Sequence, residues 1–112
     1  MPLTTEEMNG VLVVTIHEKA LDASSVKQFK TDMTPVLEHA KLVIFDLSQL
    51  EFVDSSGLGA ILSCLRQLTG KGGDLKLCGM TKPVRALFEL VRMHRIFDIL
   101  NTREEALHTI RR

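Results

Sequence analysis

Along the chain, short apolar runs alternate with longer segments in which apolar residues return every three or four positions. "VLVVTI" (11–16) and "LVIFDL" (42–47) are of the first kind, rich in Val and Ile. The second is apolar on both faces apart from Asp46, the pattern of a strand covered on both sides in a parallel sheet. Between them, "ASSVKQFKTDMTPVLEHA" (23–40) sets Val26, Phe29, Met33 and Leu37 on one helical stripe, with Ser24 or Ser25 available as N-cap. Pro35 conflicts with that helix, and a kink or local break is expected there. A second stripe of Leu58, Ile61, Leu62, Leu65 and Leu68 ends at Gly70 in "TGKGGD". "DLKLCG" (74–79) reads as a strand with Leu75 and Leu77 on one face. "KPVRALFELVRMHRIF" (82–97) reads as a helix with Pro83 near its first position, burying Val84, Leu87, Phe88 and Val91. A short "DIL" strand (98–100) and a helix over 102–112 close the chain, and Thr102 and Glu105 have the spacing of a capping box.

This order, strand then helix four times over, predicts an α/β fold in one domain spanning residues 1–112. Crossover connections of this kind give a mostly parallel sheet of four to five strands, packed by about four helices. No internal repeat, linker or low-complexity segment interrupts it.

Composition narrows the function classes. A chain of 112 residues, 45% hydrophobic and 25% charged, is long enough for a real core. Lys+Arg and Asp+Glu both number 14, so no global field draws in nucleic acid or anionic lipid. Trp and Tyr are absent and Phe numbers five, which argues against a base-stacking platform. The opening "MPLTTEEMNG" has neither a basic n-region nor an apolar h-region, and no apolar run nears the ~20 residues of a membrane span. These features predict a cytoplasmic protein with no membrane contact and no direct nucleic-acid partner. Cys64 and Cys78 then read as reduced thiols inside secondary structure.

One stretch does not read as ordinary core. In "EFVDSSGLGAIL" (51–62) an acid is followed by two serines, and two glycines flank Leu58 inside the first turns of a helix. The stretch lies just past the carboxyl end of the 42–47 strand, where open α/β sheets place their sites. Asp54 or Ser55 would cap the helix, and a glycine would let it approach the sheet closely. Capping needs a single side chain, however, and three stand in a row.

Catalytic readings find little to build on. A nucleophile elbow requires G-x-S-x-G, and Val53 and Asp54 stand where the glycine and spacer should be. His17, His39, His94 and His108 have no telling spacing to the serines. "TGKGGD" lacks the Ser/Thr of a phosphate-binding loop and precedes a strand, so it reads as a helix end and turn. The cysteines form no C-x-x-C, and no pair of acids stands out as acid and base. The basic edge of "RALFELVRMHR" reads as the solvated face of an amphipathic helix. Neither an enzyme nor a metal or cofactor site is expected.

The same residues carry a resemblance. "LVIFDLSQLEFVDSSGLGAILSCLRQL" (42–68), an apolar strand followed by D-S-S-G-L-G and a helix, resembles the central segment of the anti-sigma factor antagonists, whose fold is the STAS domain. The later "KPVRALFEL" (82–90) matches as well, and the similarity runs from about residue 10 to 110. The family's early G-E-L-D is partly kept: "EKALD" retains Leu21 and Asp22 and lacks the glycine. The resemblance implies phosphorylation of the first serine of the pair, here Ser55, and partner contacts from Asp22, Asp54, Ser55, Ser56, Gly57 and Leu58. It also implies an anti-sigma factor serine kinase and a metal-dependent serine phosphatase as partners of a monomer, with a sigma factor controlled indirectly. A non-phosphorylated STAS scaffold or transporter-associated binding subunit is the alternative.

Elementary physics fits a modified Ser55. A helix N-terminus presents free N–H groups and about half a positive charge, so a phosphate there is tolerated by the fold. Adjacent helical residues point about 100° apart. Ser55 is therefore expected at the open helix mouth, and Ser56 one residue further in, its hydroxyl turned back to the strand end. Gly57 and Leu58 are expected to stand exposed, offering a partner close backbone contact.

Overall fold

The computed structural model describes residues 3–110. Five strands form the main sheet: β1 (Leu3–Met8), β2 (Val11–Ile16), β4 (Leu42–Asp46), β6 (Asp74–Cys78) and β7 (Ile99–Leu100), side by side in that order. Two short strands, β3 (Ala20–Leu21) and β5 (Phe52–Val53), pair apart from it. The helices are α1 (Val26–His39), α2 (Ser55–Gly70), α3 (Lys82–Leu90) and α4 (Arg103–Ile110). All pairings are parallel except β1 with β2. The expected α/β architecture is thus the observed one.

Alternation along the strands divides the core in two. Val14, Ile16, Val43, Phe45, Leu75 and Leu77 point to one face, where Phe29 and Met33 of α1, Ile61 and Leu68 of α2, and Val84 and Phe88 of α3 cover them. Val11, Val13, Ile44 and Cys78 point to the other face and meet Ala106 and Ile110 of α4. Burial on both faces is why β2 and β4 read as continuous apolar runs.

Strand β1 was not expected from its sequence. Its "LTTEEM" is exposed at four of six positions, as suits an edge strand. The Asn9–Gly10 turn that joins it to β2 has φ of 57° and 84°, the left-handed pair that a two-residue hairpin requires. The "NG" dipeptide was the available signal.

α1 runs through Pro35, which is exposed, without a local break, while the next-to-last helix differs from expectation. α3 stops at Leu90 rather than continuing to 97. Arg92 takes a left-handed conformation (φ 62°) and a 3-10 turn follows at Met93–Arg95. Val91 is therefore exposed (46%) rather than buried. Phe97 returns to the core instead, edge-on to Phe88 with ring centroids 6.1 Å apart. The capping box forms with a shifted return bond: Glu105 N–H donates to Thr102 Oγ1 (3.1 Å), and the Glu105 carboxylate accepts from the N–H of Asn101 (2.9 Å). Positions 111–112 of the expected last helix lie outside the described residues.

Candidate functional site

The small parallel sheet builds the site. Ala20 pairs with Phe52 and Leu21 with Val53, so the segments that follow, Asp22–Ser25 and Asp54–Gly57, leave it side by side. Neither two-residue strand is readable from its own pattern.

Asp54 is the N-cap of α2, one of the two residues expected there. One carboxylate oxygen accepts from Gly57 N–H at 3.0 Å, and the other from Ala23 N–H at 3.1 Å. Its own N–H donates to the Leu21 carbonyl at 3.3 Å. One side chain thereby satisfies a helix end and clamps the neighbouring loop. Asp22 organises the other side: its Oδ1 accepts from Ser24 N–H (3.0 Å) and Ser24 Oγ–H (2.7 Å). These bonds, with weaker help from Ser25, hold the Asp22 carboxyl below its ordinary value against a smaller opposing effect of desolvation. Ser25 occupies the N-cap position of α1, but its hydroxyl makes no capping bond. It accepts from Asp22 N–H and donates to the Ala20 carbonyl, closing the loop instead.

Ser55 and Ser56 are the first two residues of α2, and both are exposed. Ser55 stands where expected, at the open helix mouth. Ser56 does not turn inward: its hydroxyl has no hydrogen bond to another described residue, and neither has that of Ser55. Both precede Gly57, the residue whose amide the Asp54 carboxylate takes up, so the cap is completed without either serine side chain.

Gly57 and Leu58 correct the expectation of an exposed contact point. Both are buried, Leu58 at 8% exposure within the main core. A Cβ on Gly57 would run into the Leu21 carbonyl oxygen and lie 2.9 Å from Val53 Cγ1. The glycine lets α2 press against β3; it is an internal contact. The exposed apolar residue at the site is Phe52 (55%), to which no sequence signal gave a role.

Thiol chemistry is disfavoured. Burial pushes both Cys64 and Cys78 up to about 12, with Asp46 adding to the effect at Cys78, so both stay protonated. Among the described residues no group of three His, Cys, Asp or Glu side chains is placed to hold a metal ion, and no helix is long and apolar enough to cross a membrane.

A mostly parallel sheet with a capped, serine-bearing helix start beside a second loop defines the class, and the family model for the STAS domain matches residues 2–106. The chain belongs to the STAS domain family. Across 96% of its length it is 28% identical to the anti-sigma F factor antagonist of Paenibacillus polymyxa, 92% of which is covered. Its fold superposes with a TM-score of 0.88 on an anti-sigma factor antagonist from Mycobacterium paratuberculosis, at 22% identity over 98% of this chain and 93% of that one. SpoIIAA, a Bacillus cell fate determinant and anti-sigma factor antagonist, shares the fold in its unphosphorylated form (TM-score 0.78, 24% identity, 97% and 96% covered). Its phosphorylated form superposes at 0.69, with 22% identity and 96% and 98% covered.

Proposed function

We propose that this protein is an anti-sigma factor antagonist whose unphosphorylated form binds a kinase-type anti-sigma factor in the cytoplasm and so frees a sigma factor. The kinase transfers the terminal phosphoryl group of ATP to Ser55 Oγ, binding is lost, and a metal-dependent serine phosphatase restores it. Asp22, Asp54, Ser55 and Ser56 form the surface that meets the partner, with Gly57 and Leu58 holding it from beneath.

The observation that carries this reading is the exposed, unpartnered Ser55 hydroxyl at the first position of a helix whose cap is already filled by Asp54. Nothing in the fold depends on that hydroxyl, so a modification there is free to act on partners alone. Phosphorylation adds about 1.5 to 2 negative charges beside Asp54 and near exposed Glu51. The helix dipole tolerates them within the monomer. A partner covering the helix start would have to bury that dianion among carboxylates, at a cost of several kcal/mol. A cost of ~4 kcal/mol weakens binding about a thousandfold.

Calorimetry with the anti-sigma factor tests the switch. Ser55→Ala is expected to bind as the unmodified protein does, and Ser55→Asp far more weakly, with a melting temperature within a few degrees of wild type. Equal affinities of the two variants would overturn electrostatic exclusion. Since both serines are solvent-facing, the assignment to Ser55 rests on the family pattern and its place at the helix mouth. Site-localising mass spectrometry after incubation with kinase and ATP should find phosphate on Ser55; phosphate persisting on Ser56 in Ser55→Ala would move the switch by one residue.

A further inference from the structure

Gly59 has no reason within the molecule to be glycine. It is the fifth residue of the sixteen-residue α2, exposed, with nothing within 4 Å of where a Cβ would stand. Glycine is the least favourable residue in a helix interior after proline. Of the other glycines, Gly10, Gly72 and Gly79 have a left-handed backbone, and Gly57 and Gly73 have a carbonyl oxygen in the way; Gly70, like Gly59, faces open space, but at the far end of α2 from Ser55.

Gly59 lies four residues beyond Ser55, so the two share a helix face about 6 Å apart along the axis. Helical side chains lean toward the N-terminus and cover the turn before their own Cα. A side chain at this position would therefore lie over the Ser55 hydroxyl. An enzyme that delivers a phosphoryl group to Ser55 Oγ must bring its own surface over that turn, and the missing side chain is what leaves the approach open.

We propose that Gly59 is a docking and access residue: the kinase that modifies Ser55 rests on α2 at this glycine, and a long side chain there shields Ser55 from it. The proposal rests on the reading of Ser55 as the phosphorylated residue.

The test compares Gly59→Ala, Gly59→Leu and a control at the far end of the same helix, Gly70→Leu, which also projects into open space. Each is assayed for melting temperature, for affinity toward a kinase-type anti-sigma factor from the same genome, and for phosphate incorporation with ATP. Gly59→Ala should raise the melting temperature by several degrees, as an exposed helical glycine allows in a domain of this size. Gly59→Leu should stay folded while affinity and phosphorylation rate fall tenfold or more, and Gly70→Leu should match wild type in both. Wild-type binding and phosphorylation in Gly59→Leu, or a lower melting temperature in Gly59→Ala, would overturn the proposal. If Gly59→Leu loses binding while Ser55→Asp keeps it, Gly59 stands as a docking residue and the phosphate switch falls. A wild-type protein that neither binds nor accepts phosphate removes both.

Discussion

The hydrogen that Gly57 carries in place of a side chain faces the Leu21 carbonyl oxygen, 36 positions earlier in the chain, and Val53 closes the same space. Neither obstacle is a flexible side-chain end. Overpacking of this kind costs roughly 1–3 kcal/mol or more, and 1 kcal/mol corresponds to about 4–8 °C in melting temperature for a domain near 100 residues. Gly57→Ala is accordingly expected to melt several degrees below wild type, and Gly57→Val lower still, with loss of cooperativity in thermal scans. A Gly57→Val protein that melts like wild type but fails to bind partners would return this glycine to the surface role expected from sequence. Ser55, two residues away, is the opposite case: its side chain is exposed and hydrogen-bonds to no other described residue, and substitution there should act on binding with little effect on folding. Asp54 was legible as a candidate cap from residue type and spacing, whereas the purpose of Gly57 was not, because its obstacle is distant in sequence.

Among the elements, α1 holds the clearest conflict between local preference and fold. Pro35 sits in its interior and removes the N–H that would reach back one turn. Packing of Phe29 and Met33 into the core keeps the helix whole. Interior proline costs about 3 kcal/mol of helix stability, offset by the roughly 0.4–1 kcal/mol by which it restricts the unfolded chain. Pro35→Ala should therefore stabilise the protein by about 2 kcal/mol in urea titration, since the residue is exposed and no buried contact is lost. No gain, or a loss, would mean that proline sets the helix direction. The end of α3 shows the reverse failure. Its sequence carries no glycine or proline to stop it, and the turn at Arg92 brings Phe97 back into the core against Phe88. Periodicity registers the tendency to form a helix; it does not register a competing burial beyond the helix end.

At the scale of the whole molecule, Arg103 ties the sheet to the last helix through ion pairs with Asp46 and, at 3.4 Å, with Glu6 of β1. Arg103, the first residue of α4, donates through Nε to Asp46 Oδ2 (2.8 Å) at the end of β4, and through a terminal nitrogen to Thr15 Oγ1 in β2 (2.7 Å). The other Asp46 oxygen accepts from Ser48 N–H at 2.9 Å. Burial by itself would raise the Asp46 carboxyl, but the bonds from Ser48 and the Arg103 guanidinium outweigh it and hold it below the usual carboxylate range. The folded state then binds fewer protons than the unfolded one near the carboxylate pKa. This stabilisation is fully present above the unfolded pKa of about 4, and is lost as pH falls through the lower folded value. Asp46→Asn should cost about 1–3 kcal/mol at pH 7, less than a fully buried pair because the Arg103 side chain keeps 33% of its surface exposed. The same substitution should flatten the fall in stability below about pH 4. An acid limb as steep as that of wild type would assign the loss to other carboxylates.

The sequence by itself determined the α/β order, the two apolar stripes that became α1 and α2, the strands from 42 and 74, and the serine pair at a helix start. Each is a local signal: a period of two or 3.6, a capping residue, a turn dipeptide. Asp46 was visible only as the polar exception in its strand, and its meaning waited on Arg103, 57 residues later. Tertiary structure alone decided that β3 and β5 pair, that Gly57 and Leu58 are internal, that Phe52 is the exposed apolar residue, and that Gly59 faces open space. Pairing, close approach and exposure are relations between segments far apart along the chain. Their free energies come from surfaces that exist only once the sheet has assembled, which is why no window of neighbouring residues encodes them.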